Sequence, residues 1–325
     1  MGIKQDQKEK SGLFSWLFIL SLYLIINVLV QPLRSLALQL CSMKTFTNQD
    51  VEDYYDHTEP HYRMWWELDE TMGLHYGIWD KGIKNFKESI LNTNRQLIKL
   101  GRVQATDVVL DAGCGVGGSS IFMAKELGCK VTGITLSKRQ VATATKYAQE
   151  HGVSDLVQFA QKDYTDTGFE AASFDVIWAI ESMQTAQDKG LFLKEAQRIL
   201  KPGGRIVIAD CFKPRPYAIA LEPEMLTMLN GWAISDILTV GELERLANRY
   251  NFQLQGQRVV TPEIKPSVRR IYWAAMAGML GTKAYNLVYN ATHFSKIHYK
   301  TGLAQYKTYN KGLWDYSLVV LEKNQ

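Results

Sequence analysis

Asp111 stands two residues before a run of closely spaced glycines, in the stretch Val108-Val-Leu-Asp-Ala-Gly-Cys-Gly-Val-Gly-Gly-Ser-Ser120. Gly113, Gly115 and Gly117 alternate, and Gly113, Gly115 and Gly118 also fit the spacing G-x-G-x-x-G. Glycine permits positive φ and lets a ligand approach the backbone closely. An apolar run ends in the acid and the amphipathic segment Ser119–Leu127 follows. The glycines are therefore expected on a tight loop between a strand and a helix, where nucleotide-like cofactors bind. The alternative is a sharp strand–helix turn with no ligand.

Two cofactor classes use such a loop, dinucleotides and S-adenosylmethionine. Asp111 could take the ammonium of a methionine moiety, whereas a pyrophosphate gains nothing from a carboxylate there. A dinucleotide site also wants an acid about 20 residues on, at the end of the second strand, for the ribose. That strand is Lys130–Leu136, and Thr135 stands at the expected place.

The elements that must position these residues alternate in type. Val51–Leu68 reads as an aromatic helix, and Lys84–Gly101 as an amphipathic helix leading into the first strand. Ser137-Lys-Arg-Gln140 is a capping box that opens a helix to Glu150. Val157–Gln161 and Phe174–Ile180 read as strands three and four. The helix Lys189–Leu200 meets the stop signal Lys201-Pro-Gly-Gly204, and Arg205–Asp210 reads as strand five. An insertion of Pro, Met and Leu follows, then a helix capped at Thr239. Phe252–Val259 and Asp315–Leu321 are the last strands. Strands alternating with helices imply a mostly parallel sheet covered on both faces. The apolar run Ile271–Leu280 is too short to span a bilayer and is expected as a buried cap helix; the alternative is a wall of an apolar pocket.

The wording of four of these segments resembles the class I S-adenosylmethionine-dependent methyltransferases. They are the glycine loop, Gly133-Ile-Thr-Leu-Ser137, Phe174-Asp-Val-Ile-Trp-Ala-Ile-Glu-Ser182 and Leu200-Lys-Pro-Gly-Gly-Arg-Ile-Val-Ile208. Within the class, the wording is most similar to tocopherol and sterol C-methyltransferases and to cyclopropane fatty acid synthases. The resemblance implies an α/β fold: a doubly wound, mostly parallel, seven-stranded Rossmann-like sheet with a helical cap. It further implies that Asp111, Gly113, Gly115 and Gly117 hold the methionine end of the cofactor. Thr135, Leu136 and Gln140 would meet its ribose and adenine, Asp163 the adenine amino group, and Ile180 the reacting centre. Gln140 has an equal alternative as the reciprocal partner of the capping box.

Three residues are the catalytic candidates. Glu181, after strand four, would stabilise positive charge formed during methyl transfer to carbon, or hold a relay that removes a proton. A supporting acid that fixes the loop is the alternative. His75 and Tyr76, in Gly73-Leu-His-Tyr-Gly-Ile-Trp79, belong to a segment that folds over the cofactor as a lid in the resembling families. His75 would act as base or orient the acceptor, and Tyr76 would bond the cofactor carboxylate. Tyr54, Tyr55, Trp65 and Trp66 would wall a pocket, or simply pack. Tocopherol-type sequences often carry His shortly after Glu-Ser, and Met183–Asp188 has none.

A balance of 37 basic against 33 acidic residues gives only +4, which does not suggest a nucleic-acid partner. The four cysteines, Cys41, Cys114, Cys129 and Cys211, form no C-x-x-C pair and no metal-like spacing with His, so no metal is expected. Residues Ser11–Leu33 carry no charge. An apolar helix of that length approaches the ~30 Å of a bilayer core, at about 1.5 Å per residue. The expected organisation is a polar N-terminus at 1–12, a membrane anchor helix at 13–31, a connector at 32–50 and a catalytic domain at 51–325. Within that domain, 51–104 would form lid helices, 105–212 the cofactor core, and 213–325 the cap and last strands. The anchor would hold the protein in a membrane with the domain facing the cytosol, where the cofactor is made. The expected function is S-adenosylmethionine-dependent methylation, at carbon, of a small lipophilic acceptor such as a sterol, an isoprenoid or tocopherol-like molecule, or a lipid. N- or O-methylation of a small amine or natural product, NAD-dependent oxidoreduction, and non-catalytic cofactor binding are the alternatives.

Overall fold

The structure, a computed structural model, describes residues 44–288 and 293–325. The chain divides into two compact units. The larger, Thr45–Tyr217 with Glu224–Gln325, holds all seven strands. Of the smaller, Met1–Lys44 with Ala218–Pro223, the described part includes one 3-10 turn at Ile219–Leu221.

Three helices precede the sheet: α1 (Asn48–Trp65), the single turn α2 (Leu68–Thr71) and α3 (Phe86–Gly101). Strand and helix then alternate through β1 (Val108–Ala112), α4 (Gly118–Leu127), β2 (Lys130–Thr135), α5 (Lys138–Glu150) and β3 (Val157–Gln161). They continue with β4 (Phe174–Ile180), α6 (Lys189–Ile199) and β5 (Leu200–Phe212). Next come α7 (Pro223–Gly231), α8 (Val240–Asn248), β6 (Phe252–Val259), α9 (Lys265–Val288), α10 (His293–Asn310) and β7 (Asp315–Lys323).

The sheet order is β3-β2-β1-β4-β5-β7-β6. The first five strands in that order pair in parallel, and β7 runs antiparallel to both β5 and β6. The chain reverses its winding between β1 and β4, which leaves a crevice beyond their carboxyl ends. In β4 the run Val176-Ile-Trp-Ala179 is almost wholly buried, as a central parallel strand must be when helices cover both faces. Register carries the site residues to one edge: Asp111 of β1 pairs with Gly133 of β2 and Trp178 of β4.

Local chemistry sets the helix starts. The Thr47 hydroxyl and the Asp50 carboxylate cap α1 reciprocally, and Thr239 and Glu242 do the same for α8. Ser137 caps α5 by accepting from the Gln140 N–H, but the Gln140 side chain turns to Thr135 instead of completing the box. Strand five begins at Leu200 rather than Arg205, because Leu200 already pairs with Phe174 across an irregularity in register. The run Ile271–Leu280 falls on α9, yet Trp273 is 66% exposed and only Ala275 of its described residues is buried, so it is not a buried cap helix.

The expected anchor at 13–31 lies outside the described residues. No helix of the described residues is long and apolar enough to cross a membrane, and the membrane location expected above is corrected on that finding.

Gly117 starts α4 at φ +87°, and a Cβ there would lie 2.7 Å from Phe159 Cζ and 2.9 Å from Ala144 Cβ. Gly117→Ala is therefore expected to cost about 1–3 kcal/mol of stability, from overpacking and an unfavourable φ. The midpoint of urea unfolding measures it, and an unchanged midpoint contradicts this packing.

Candidate active site

Beyond the carboxyl ends of β1, β2 and β4 lies a cleft of about 830 Å³. Asp111, Gly113, Gly115, Thr135, Leu136, Gln140 and Ile180 all line it. Cys114 and Gly118 also reach it, as does Leu74, from the segment between α2 and α3. Gly117 does not; its missing side chain makes room for β3 and α5. Gly118 is the glycine that lets the preceding segment approach, since a Cβ there would stand 2.1 Å from the Met72 carbonyl oxygen.

Asp163 does not line this cleft. One of its carboxylate oxygens accepts from the Thr165 N–H and hydroxyl, each at 2.7 Å, and the other from Asn48 Nδ2 at 2.6 Å. An Asp two residues before a Thr closes a local turn onto its own backbone, and that competing bond is why its carboxylate is spoken for. Its neighbour Tyr164 enters the cleft instead, with its hydroxyl 2.9 Å from both the Ser182 carbonyl and the Thr185 hydroxyl.

A second chamber, about 1230 Å³, adjoins the first. Tyr55, Leu74, His75, Glu181 and Thr185 line both. Aromatic side chains from α1 and the residue after it form much of the wall: Tyr54, Tyr55, Tyr62, Trp65 and Trp66. Ile271, Ala274, Ala275 and Gly278 of α9 form another part, so the α9 run is a pocket wall.

Glu181 occupies the junction. It holds a left-handed conformation at φ 49°, which is uncommon for a residue with a side chain, and its N–H donates to the Ala209 carbonyl. Its Oε1 accepts from the Tyr76 N–H and the Tyr316 hydroxyl, both at 2.7 Å. Burial pushes its carboxyl up to about 8, against the lowering effect of those two hydrogen bonds. Asp111 is also buried and pushed up to about 7, although the Ser120 hydroxyl donates to it at 2.6 Å.

His75 is buried, with Nδ1 3.0 Å from the Tyr76 carbonyl oxygen and Nε2 without a partner among the described residues. Burial lowers its pKa to about 4, so the ring is neutral and Nδ1 carries the proton that it donates to that carbonyl. Tyr76 departs from expectation. Its hydroxyl accepts from Gln305 Nε2 at 2.9 Å and its ring stacks on Trp314, so it lies in the wall of the second chamber and not in the first cleft. Its contribution to the junction is its backbone N–H.

Sequence reasoning missed Asp210 and Tyr316. Asp210 lies near the carboxyl end of β5 as Asp111 lies near that of β1, and an acid close to the strand end, at the edge where ligands bind, was a usable signal. It lines the second chamber, and burial pushes it up to about 7. Tyr316 reaches Glu181 only because antiparallel β7 sets it opposite Cys211. No local pattern announces that pairing.

Comparison with known proteins fits this geometry. A model described as a methyltransferase domain matches residues 110–208. The chain is similar to the 27-O-demethylrifamycin SV methyltransferase of Amycolatopsis mediterranei, 30% identical over 62% of this chain and 74% of that protein. It is similar to the sterol 24-C-methyltransferase of Saccharomyces cerevisiae, 32% identical over 49% of this chain and 42% of that one. Its fold is that of a cyclopropane synthase from Mycobacterium tuberculosis, with TM-score 0.72 and 19% identity over 86% of this chain and 99% of that one.

The buried carboxyls make stability depend on pH. Glu181, Asp111 and Asp210 bind a proton more tightly folded than unfolded, so raising the pH through their folded values removes stability. His75 and His298 are lowered from 6.5 to about 4 and about 3, and His61 and His151 are lowered too, so their opposing effect fades as the pH rises above 6.5. The melting temperature of the cofactor-free chain is therefore expected to fall between about pH 6.5 and 8, and Glu181→Gln should flatten the fall. A level or rising profile in wild type contradicts these assignments.

Proposed function

We infer the reaction from one premise: the chain belongs to the S-adenosylmethionine-dependent methyltransferases. Its cofactor is S-adenosylmethionine. The first cleft fits that molecule. Asp111 is a buried carboxyl whose raised pKa no cation among the described residues offsets, and Gly115 leaves space that a Cβ would fill to within 3.1 Å of Leu74. Gln140 lines the same cleft, with its Oε1 accepting from the Thr135 hydroxyl at 2.6 Å. We assign Asp111 to the ammonium of the methionine moiety, with Gly113 and Gly115 at the backbone beside it. Thr135, Leu136 and Gln140 take the ribose and adenine, and Ile180 packs near the sulfonium. Residues 51–104 serve as the lid, with Met72–His75 closing the cleft.

When bound, the cofactor supplies an electrophilic methyl group on a sulfonium. The second chamber holds the acceptor, which its aromatic and aliphatic walls mark as lipophilic; the similarity to a sterol C-methyltransferase supports transfer to carbon. Catalysis is then mostly positioning, with methyl and acceptor held in line across the junction. Glu181 keeps Oε1 on Tyr76 and Tyr316 and turns Oε2 to stabilise charge formed as the methyl moves, or to take a proton. His75, unprotonated at Nε2, is the second proton acceptor at the junction.

The observation that carries this reading is that Glu181 lines both chambers. The test is transfer of a labelled methyl group from S-adenosylmethionine to a lipid extract of the host. Glu181→Gln is expected to lower turnover about a hundredfold or more. Its affinity for S-adenosylmethionine should stay within about threefold, less than 1 kcal/mol. Unchanged turnover removes Glu181 from the chemistry. Tyr316→Phe should lower turnover less and shift its pH profile upward, since Glu181 loses a donor to its charged form.

A further inference from the structure

We propose that the second chamber sorts acceptors by charge: it admits an uncharged or cationic apolar molecule and turns away one with a carboxylate, phosphate or diphosphate head. The proposal rests on the reading of that chamber as the acceptor site.

No lysine or arginine is among the described residues that line it. Apart from tyrosines and Cys211, the ionisable groups there are two carboxyls, Glu181 and Asp210, and three histidines, His61, His75 and His298. His75 is held neutral by burial, as described above. The His61 and His298 rings face each other with centroids 4.9 Å apart, and His298 Nδ1 is buried without a partner among the described residues. Burial, with His61 beside it, holds His298 down to about 3, and burial lowers His61 too. At neutral pH the histidines offer ring nitrogens but no charge.

Three cations on flanking elements are already engaged. Lys189 donates to the Gln184 and Ala186 carbonyls, both at 3.0 Å. Arg270 bonds the Trp65 carbonyl and Glu67, and Arg63 pairs with Glu59 and Asp69.

An anionic head entering the chamber would lose its water with no lysine or arginine among the described lining residues to replace it. It would also lie with Asp210 and Glu181, whose ionisation it opposes. A hydroxyl meets a better site, because either carboxyl can accept its hydrogen. A cation gains from the same carboxyls and from the faces of the tyrosine and tryptophan rings. The Asp210 carboxyl is held in place by the backbone, since its two oxygens accept from the Cys211 and Gln184 N–H groups, at 2.8 and 3.2 Å.

Three probes with the same tail isolate the head group: decyltrimethylammonium, decanol and decyl phosphate. Binding to the full chain, with and without S-adenosylhomocysteine, is followed by tryptophan emission, since Trp65, Trp66 and Trp232 line the chamber. The ammonium and the alcohol are expected to bind at least about tenfold more tightly than the phosphate, a difference of about 1.4 kcal/mol. In the double variant Glu181→Gln, Asp210→Asn, the preference for ammonium over phosphate should shrink to about threefold or less. Decyl phosphate binding as tightly as the others overturns the proposal, as does failure of all three to bind. A preference that survives the double substitution overturns its assignment to these carboxyls. Failure of S-adenosylhomocysteine to bind overturns the cofactor reading alone, because the order of the three probes is read without it as well.

Discussion

One carboxylate oxygen ties the site together. Glu181 Oε1 accepts from the backbone N–H of Tyr76 in the segment before the sheet and from the hydroxyl of Tyr316 on the last strand. Glu181 itself follows β4 at the centre of the sheet. Two stretches, 105 and 135 residues away in sequence, are thus pinned to Glu181 at one atom. The left-handed backbone at Glu181 turns the side chain to this place. Such a conformation persists where surrounding contacts over-determine it, and these hydrogen bonds do so. The junction also divides the space, because Glu181 lines the cleft on one side and the aromatic chamber on the other.

Burial gives the site its electrical character. Asp111, Glu181 and Asp210 are each raised by loss of water, and no lysine or arginine lines the second chamber among the described residues. Such carboxyls are costly to ionise in an empty protein and are stabilised by a positively charged ligand. A molecule with an ammonium and a sulfonium supplies that charge. On the proposed placement of the cofactor, ligand binding and carboxyl ionisation are coupled, and the cofactor relieves the carboxyls that destabilise the free chain at higher pH.

The sheet was legible in the sequence because its strands and loops obey local rules. Val108–Ala112, Lys130–Thr135, Val157–Gln161 and Phe174–Ile180 are short apolar runs bounded by glycine loops or helix caps, and the structure places strands there. The cleft was legible for the same reason: strand-end residues fall together once the sheet is parallel. Two candidates stand outside the cleft, where a local competitor won. Asp163 is captured by the turn it makes with Thr165, and Gly117 serves packing against Phe159. Tyr76 stands outside the cleft for a different reason, since Gln305 and Trp314 hold its side chain in the wall of the second chamber. Tyr316 was out of reach, because its role follows from the antiparallel register of β7 on β5, a contact with no short-range signature.

A crystal structure with S-adenosylhomocysteine tests the central claim most directly. The ligand is expected in the cleft, with its ammonium on Asp111, its adenine toward Leu136, and its sulfur at the mouth beside Glu181, open to the aromatic chamber. A ligand bound in the aromatic chamber, or one whose sulfur is walled off from Glu181, would contradict the division of the site into a cofactor cleft and an acceptor chamber.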